Sequence, residues 1–330
     1  MMADGTGHSP LSDQLARFLD FKRAAGYRYR EEARVLDELD RFLAVQLSPD
    51  DPVITDRAIR DFVACRGSES ETTRAHRLTL IRQVCRFLAL EEPRTAVPGP
   101  RFLAIHRRAF VPRVMTRMEG QRFLDACPAL TPSRCSPLRG LVLGTALRVL
   151  YLTGLRAGEL LKLTREDVDL SAAVLRLRDT KFGKSRFVPL APDLGSRLEE
   201  YSAQVAGRLG PWWPPAAPFF PNRVGRAYSI TALRAAFRQV QAVAGVAVVS
   251  GGRRLRLHDL RHSFAVLRLL LWYEQGVDLD AKLPLLATYL GHVGLASSQR
   301  YLQLTEELAS EVTRRHQARF GYLIVEGGRS

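Results

Sequence analysis

The segment Thr153-Gly154-Leu155-Arg156-Ala157-Gly158-Glu159-Leu160 marks a break between two helical patterns. Apolar residues from Pro137 to Leu152 recur at helical spacing and predict a buried helix. Gly154 follows it, and glycine is the residue type that most often ends a helix. A second helix is predicted to begin directly after Arg156. The chain therefore turns at a glycine and presents an arginine at the turn.

Arg156 is the first candidate functional residue. An arginine at such a junction can place its planar guanidinium beside the amides of a helix start, which is a good grip for a phosphate. The plainer alternative is a surface arginine after a C-cap glycine. Glu159 lies one helical turn further on, and it either orients Arg156 or is an exposed acid near a helix N-terminus.

A basic hairpin is predicted after this break. Its strands belong to three short stretches of strand-like sequence, Asp167 to Leu170, Ala173 to Arg178 and Ser185 to Leu190. The turn Lys181-Phe182-Gly183-Lys184 joins the last two. A lysine at a hairpin tip can reach a DNA groove and protonate a leaving oxygen, although most charged hairpin tips are merely solvated.

The third segment is His258-Asp259-Leu260-Arg261-His262. His258 and Arg261 are three residues apart, so on a helix they share a face and can converge on one anion. His258 and His262 have the spacing of a metal-binding pair. Arg261 lies between them, and because its charge disfavours a divalent cation we predict no metal.

The fourth segment begins with Leu290-Gly291-His292, where a glycine ends a predicted helix and a histidine follows it. Tyr301 comes nine residues after His292. Taken alone, Tyr301 would be interpreted as a packed aromatic residue, because a neutral tyrosine is a weak nucleophile until its proton is removed.

The rest of the chain is mostly helical. Three apolar stripes between Leu11 and about Leu90 predict a small helical bundle, and Glu91 to Pro100, with three prolines and a glycine, predicts an extended connector. The Pro-rich run from Pro211 to Pro221 predicts a loop. Further helices are predicted over these ranges: Glu119 to Ala126, Leu194 to Leu209, Ile230 to Ala244, Arg261 to Glu274, Leu283 to Leu290 and Glu306 to Phe320. The fold class is mainly α with a small antiparallel β-sheet.

The charge is unevenly distributed over the 330 residues, which carry a net charge of +15. Residues 1–100 hold 15 Lys and Arg against 16 Asp and Glu, and residues 101–330 hold 34 against 18. Such a basic region is typical of nucleic-acid binding; an anionic membrane face is the alternative. We expect the following arginines to contact phosphates without reading sequence: Arg101, Arg107, Arg108, Arg113, Arg223, Arg226, Arg253, Arg254 and Arg256. Arg74, Arg77, Arg82 and Arg86 form a possible basic helix face, with a merely solvated face as the alternative.

The four cysteines and the longest apolar run indicate the cellular compartment in which we expect the protein to work. Cys65, Cys85, Cys127 and Cys135 form no CxxC pair, so we expect free thiols in a reducing compartment. The longest apolar stretch is interrupted by Arg148, and no segment is predicted to span a membrane. We expect a cytoplasmic, nucleoid-associated protein.

Set in order, the four segments give Arg156, Lys181, His258-x-x-Arg261, His292 and Tyr301. This series resembles the tyrosine recombinases, the family of phage integrases and Xer-type resolvases. The resemblance covers about Arg113 to Phe320. It implies an N-terminal helical core-binding (SAM-like) domain, a DNA clamp, at residues 1–96, a linker at 97–112 and a catalytic tyrosine recombinase domain with a C-terminal tail at 113–330. The 31-residue interval between Arg261 and His292 is long for the family, and it resembles recombinases of transposon-like elements.

The resemblance also implies a reaction and a role for each residue. Tyr301 would attack the scissile phosphate and form a 3′-phosphotyrosyl link, without a metal or other cofactor. Arg156 and Arg261 would hold the non-bridging oxygens. Lys181 would protonate the departing 5′-oxygen, with Lys184 as its competitor. His258 would accept the tyrosine proton, and His292 would hydrogen-bond the phosphate.

The implied partner is double-stranded DNA with an inverted-repeat core site, bound by a homo- or hetero-oligomer, a tetramer at full assembly. Two alternatives stay open at this point. A type IB topoisomerase shares the arginine, lysine, histidine and tyrosine set but relaxes DNA as a monomer. A catalytically silent DNA-binding architectural subunit would keep the fold and lack turnover.

Overall fold

The protein is described from a computed structural model. The structure describes residues 8–64, 69–103, 112–132, 136–178, 185–246, 254–291 and residue 301. Within these residues the chain is mainly α-helical with one three-stranded antiparallel sheet, which confirms the predicted fold class. None of the helices in the described ranges is both long enough and apolar enough to cross a bilayer. The chain divides into two compact units, Met1–Phe110 and Val111–Ser330.

Four helices in the described part of the first unit enclose its core. Their apolar faces bury Phe18, Leu39, Ile59 and Val84, among others. The helices are α1 (Ser12–Ala24), α2 (Arg30–Gln46), α3 (Asp56–Ala64) and α4 (Glu71–Leu88).

Helix α3 was missed by the three-stripe prediction. It has nine residues, too few for a long stripe, but Ile59, Phe62 and Val63 all point into the core. Thr55 starts it by accepting a hydrogen bond from the amide of Ala58 at 3.2 Å.

The expectation of an extended connector over Glu91 to Pro100 was wrong for its first half, Glu91 to Thr95. The amides of Glu91 and Glu92 both donate to the carbonyl of Leu88, and the amide of Ala96 donates to the carbonyl of Ile54 at 2.9 Å. Turns occupy Glu91 to Thr95, and the backbone hydrogen bonds and the apolar side chain of Ala96 tie this part of the stretch to the bundle.

The basic face expected on α4 does not include all four arginines. Arg77 is buried, and its Nη2 lies 2.8 Å from Glu69 Oε1 and 3.6 Å from Glu38 Oε2. Arg82 donates to the carbonyls of Pro98 and Gly99. Arg77 is therefore an internal ion-pair partner, and Arg86 remains an exposed cation of the helix.

The second unit is built on α6, whose residues are buried on almost every side. Val142, Leu147 and Leu150 are among its fully buried residues. The helices in the described ranges of this unit are α5 (Arg117–Ala126), α6 (Arg139–Thr153), α7 (Ala157–Leu160), α8 (Pro192–Leu209), α9 (Ile230–Ala244), α10 (Asp259–Glu274) and α11 (Leu279–Leu290).

The three predicted strands are confirmed, each slightly shorter than expected. They are β1 (Val168–Asp169), β2 (Val174–Leu177) and β3 (Arg186–Pro189), in the spatial order β1-β2-β3. Leu175 pairs with Val188 across β2 and β3, and both side chains are buried.

Helices α10 and α11 both begin earlier than predicted. α10 starts at Asp259, so His258 lies at its N-cap and Arg261 in its first turn. α11 starts at Leu279, because the Asp278 carboxylate accepts hydrogen bonds from the amides of Asp280 and Ala281. Pro284 lies inside α11, although the prediction had placed it in the first turn, where proline is better tolerated.

The Pro-rich run and the cysteines agree with expectation where they are described. The run contains one short 3-10 turn, Gly210–Trp212, and otherwise loop. Cys85 and Cys127 are buried free thiols. Cys65, Cys135 and the predicted helix Glu306 to Phe320 lie outside the described residues.

Candidate active site

The site begins where α6 ends. Gly154 ends the helix in the left-handed conformation, with φ +63°, as predicted. A Cβ atom there would lie 2.5 Å from Cδ1 of Phe264, so both the backbone angle and the close approach of α10 require glycine. The turn brings the start of α7 close to α10.

Arg156 and Glu159 are joined at this turn, which decides the alternative that the sequence left open. Glu159 Oε1 accepts from Arg156 Nη1 at 2.8 Å, and Oε2 accepts from the Arg156 amide at 3.0 Å. Arg156 Nη2 also donates to the carbonyl of Gly291 at 3.1 Å. The carboxylate thus orients the guanidinium and caps the helix start at the same time.

Arg186 binds the same carboxylate from β3. Its Nη1 and Nη2 lie 3.1 and 2.9 Å from the two Glu159 oxygens, and its Nε donates to the carbonyl of Tyr289. Burial raises the pKa of Glu159, but hydrogen bonds from Arg186 and Arg156 outweigh burial and lower this pKa to about 2. Glu159 is therefore ionised at neutral pH.

Arg261 is the most buried of the described arginines of the site, with 2% of its surface exposed. Its Nη1 donates to the carbonyl of Gly154 at 2.9 Å, and its Nη2 donates to the carbonyl of Leu290 at 2.6 Å. Burial, followed by the charge of Arg156, lowers the pKa of Arg261 to about 10. It still carries its charge at pH 7, because a pKa of 10 leaves it protonated.

Tyr301 contacts a histidine that the sequence had proposed only as half of a metal pair. The Tyr301 hydroxyl lies 2.9 Å from Nδ1 of His262, and the tyrosine is 3% exposed. The ring of His258 meets that of His262 edge to face, with centroids 4.8 Å apart. One turn of α10 therefore carries both imidazoles and Arg261.

Burial is the main cause of the pKa shifts of both histidines. Burial, followed by the charge of the neighbouring His258, lowers the pKa of His262 to about 4. Burial also lowers the pKa of His258, and the charges of Arg261 and Arg156 act in the same direction. His262 is thus neutral at pH 7, and a neutral imidazole nitrogen can accept the hydrogen bond of a hydroxyl.

Of the six predicted site residues, the structure describes four: Arg156, His258, Arg261 and Tyr301. The two arginines meet at the end of α11, and His258 is near enough to feel both of their charges. Tyr301 is linked to the same turn of α10 through His262. Lys181, Lys184 and His292 lie outside the described residues.

Two functional candidates were missed from the sequence, and each had a signal. Arg186 lies two residues before the buried Val188 in β3. Side chains two residues apart in a strand point to the same face, so Arg186 is directed toward the interior with Val188. His262 lies one helical turn beyond His258 and shares its face. The sequence suggested a solvated cation for Arg186 and a metal ligand for His262. The structure instead shows Arg186 bound to Glu159 and His262 in contact with Tyr301.

Of the arginines expected to contact phosphates, Arg113 is buried and Arg256 is ion-paired but accessible. Arg113 is buried, where it donates to the carbonyl of Val246 at 2.7 Å and to Glu119 at 2.8 Å. That expectation was wrong for Arg113, because burial removes it from any duplex. Arg256 pairs with the buried Asp259 at 3.1 Å and remains half exposed.

Across the ranges that the structure describes, no three His, Cys, Asp or Glu side chains are grouped closely enough to hold a metal ion. Among the described residues, Glu159 instead binds Arg156 and Arg186, and Arg261 lies at the same end of α11. Such a cluster presents positive charge with N–H donors and suits an oxyanion such as a phosphate.

Comparisons with known proteins agree with this chemistry. Residues 113–307 match the model of the phage integrase family. An integrase/recombinase of Sinorhizobium fredii, y4rE, is 33% identical over 305 residues, which cover 92% of this chain and 95% of that protein. The tyrosine recombinase XerD of Caulobacter vibrioides is 30% identical over 248 residues, 75% of this chain and 76% of XerD.

A solved structure shows the same fold. The XerH site-specific recombinase, bound to its palindromic difH substrate in a post-cleavage complex, superposes with a TM-score of 0.62 at 20% identity. The match covers 84% of this chain and 77% of XerH.

Proposed function

The chain belongs to the phage integrase family of tyrosine recombinases and is a tyrosine-type site-specific recombinase, and on that premise we propose that it cleaves and rejoins double-stranded DNA through a 3′-phosphotyrosyl intermediate at Tyr301. One observation carries the proposal. Two arginines from distant segments, Arg156 and Arg261, donate to adjacent carbonyls at the end of α11, and the chain leads from there to Tyr301.

The two arginines would neutralise the scissile phosphate. Arg261 is fixed at both ends of its fork by backbone carbonyls, and Arg156 is fixed by Glu159. Fixed cations aimed at developing charge stabilise a transition state by about 3 kcal/mol for each donor. Holding the guanidinium groups in place beforehand avoids the cost of ordering them during the reaction.

Proton transfer would accompany each step. As the Tyr301 oxygen bonds to phosphorus, its proton passes to a base and the bond from phosphorus to the 5′-oxygen breaks. Lys181 would give that oxygen a proton, a contribution of roughly 10²–10⁴ in rate for a positioned acid. Lys184 is its competitor. The released 5′-hydroxyl of a partner strand then attacks the phosphotyrosine and restores the tyrosine.

The contact at the Tyr301 hydroxyl supports His262, rather than His258, as the base. His262 is the imidazole at hydrogen-bond distance, and it is neutral at pH 7. His258 lies nearer to the charges of Arg261 and Arg156, which suits hydrogen bonding to the phosphate. His292 would be the second histidine on the phosphate.

The assembly would be an oligomer on an inverted-repeat core site. Strand exchange joins two sites, each with two half-sites, so four protomers complete the reaction. Residues 1–96 would form the core-binding clamp, 97–112 the linker and 113–330 the catalytic domain. A DNA substrate implies that the protein works with the nucleoid in the cytoplasm.

A mobile element is the proposed setting. The 31-residue interval between Arg261 and His292 supports it, as does the similarity to an integrase/recombinase over nearly the whole chain. Inverted repeats in the DNA that flanks the gene would be the sites of action.

A suicide substrate tests the function. Duplexes built from those repeats, nicked beside the expected cleavage position, should trap a covalent protein–DNA adduct with the wild type and none with Tyr301→Phe. Tyr273→Phe, at an exposed tyrosine of α10, is the matched control and should form the adduct. Supercoil relaxation without strand exchange would overturn the proposal in favour of a topoisomerase.

A further inference from the structure

The C-terminal end of α11 carries an unusual set of hydrogen bonds. Three consecutive carbonyls accept from three different arginines: Tyr289 from Arg186 Nε at 2.9 Å, Leu290 from Arg261 Nη2 at 2.6 Å and Gly291 from Arg156 Nη2 at 3.1 Å. The last carbonyls of a helix have no partner within it, and they lie at the negative end of the helix dipole. The C-terminal end of α11 therefore binds the guanidinium groups of all three arginines.

Arg186 differs from the other two arginines in how fully its fork is used. Nε, Nη1 and Nη2 each donate to the protein, with both Nη atoms bidentate on the Glu159 carboxylate. Its side chain is 11% exposed, whereas that of Arg156 is 29% exposed. Of the two arginines bound to Glu159, Arg156 is thus the more accessible to a ligand and Arg186 the more buried.

Glu159 connects the two arginines. Its Oε1 accepts from Arg156 at 2.8 Å and from Arg186 at 3.1 Å, so the orientation of one guanidinium depends on the other. Without Arg186, the carboxylate would lose two of its hydrogen bonds and could rotate toward Arg156, changing the angle of that fork. A planar, bidentate pair fixes direction as well as distance, which a lysine cannot reproduce.

Gly291 shows how closely this arrangement is packed. A Cβ atom at Gly291 would lie 2.8 Å from Arg186 Nη1, and the residue has φ +65°. The backbone that receives Arg156 is therefore in direct contact with Arg186. If Arg186 moved, Arg156 would also move, because both arginines contact Glu159 and both lie against Gly291.

We propose that Arg186 is a positioning residue of the recombinase, which holds Arg156, through Glu159 and the end of α11, in the orientation that binds the scissile phosphate. The inference rests on the proposed function, in which Arg156 neutralises that phosphate. Direct binding of phosphate by Arg186 is disfavoured, because its fork is bidentate on Glu159 and its side chain is nearly buried.

The test compares two scissile groups in single-turnover cleavage of the suicide duplex. One substrate carries a normal phosphate, and the other carries a methylphosphonate, in which a methyl group replaces one charged oxygen. Arg186→Lys should slow cleavage of the phosphate by about 10- to 100-fold, the loss typical of an outer residue that orients a metal ligand, which is a comparable positioning role. On the methylphosphonate it should slow cleavage far less, because less charge needs to be neutralised.

Arg178→Lys is the matched control. Arg178 follows the neighbouring strand β2 and pairs with Glu166 and Asp167. It should cleave both substrates at the wild-type rate. An equal loss for Arg186→Lys on both substrates, or no loss at all, would overturn the positioning role.

A double-mutant comparison gives a second measurement that does not depend on the methylphosphonate. If Arg186 acts through Arg156, then Arg156→Lys with Arg186→Lys should lose little more activity than Arg156→Lys alone. Losses that multiply would contradict the proposal. Failure of the proposed function is a separate result, since the wild type would then form no adduct that depends on Tyr301.

Discussion

The hydroxyl of Tyr301 lies 2.9 Å from Nδ1 of His262, one turn of α10 beyond His258. The contact pairs the proposed nucleophile with a buried, neutral imidazole. Tyr301 is only 3% exposed, like a packed aromatic residue, and the contact gives its buried hydroxyl a polar partner. The first prediction concerns this contact.

Replacing His262 should slow the attack of Tyr301 while leaving DNA binding intact. His262→Phe keeps a planar ring and removes the nitrogen that meets the hydroxyl, so cleavage in single turnover should fall by roughly 10²-fold, as for the loss of a positioned base. The dissociation constant for uncleaved DNA, measured with Tyr301→Phe as background, should not change. A wild-type cleavage rate for His262→Phe would show that the contact has no part in the reaction.

The same histidine should make stability depend on pH. Its pKa is about 4 in the folded protein and near the ordinary 6.5 in the unfolded chain. The unfolded chain therefore binds a proton that the folded protein rejects, and the free energy of unfolding falls as pH drops from about 6.5 toward 4. Above pH 6.5 this contribution is fully present.

Urea unfolding of the full chain at pH 7.5, 6, 5 and 4 measures the effect. His262→Phe should flatten part of the decline, because one of the groups that binds a proton on unfolding is gone. His76→Phe, at an exposed histidine of α4, should leave the decline as it is. An identical pH profile for His262→Phe and the wild type would contradict the shifted pKa.

Gly291 should tolerate a side chain less well than a glycine with similar backbone angles. Gly291→Ala places a Cβ atom 2.8 Å from Arg186 Nη1, at φ +65°. Gly276→Ala has φ +68° and meets no heavy atom within 4 Å, so it pays only the backbone cost of about 1–2 kcal/mol. Thermal unfolding should show a larger loss for Gly291→Ala, together with slower cleavage. Equal losses in the two variants would mean that the contact with Arg186 is easily relieved.

Arg77 should matter for stability and Arg86 for DNA. Arg77→Met removes one partner of a buried ion pair and should cost about 3–5 kcal/mol in the free energy of unfolding. Arg86→Met, at an exposed position of the same helix, should change stability by less than about 0.5 kcal/mol. If this helix contributes to the clamp, only Arg86→Met should weaken DNA binding in the folded protein. Weaker DNA binding by Arg77→Met at unchanged stability would show that Arg77 contributes to the basic face of α4.

The sequence predicted the elements of the site better than the contacts between them. Gly154 and Gly291 were identified as helix ends because a left-handed residue is a local property, and the three strands followed from local alternation. The partnership of Arg186 with Glu159 joins residues 27 positions apart, and its bond to Tyr289 spans 103. Such pairs depend on tertiary packing, which no short window of sequence contains.

Arg77 and Arg113 illustrate the same limit from the other side. Both were expected to be surface cations, since arginine is usually exposed. Each is instead buried beside an acid, Glu69 and Glu119 respectively, and Arg113 also bonds a carbonyl 133 residues away. Net charge therefore overestimated the number of arginines that are available to DNA.

The identity of the residue that bonds to DNA tests the account most directly. Trypsin should release the peptide Tyr301–Arg314, since arginines occupy positions 300 and 314. After digestion of the trapped adduct with trypsin and nuclease, mass spectrometry should find this peptide carrying a nucleotide through its 3′-phosphate on Tyr301. A nucleotide on any other residue, or one attached through its 5′-phosphate, would contradict the mechanism.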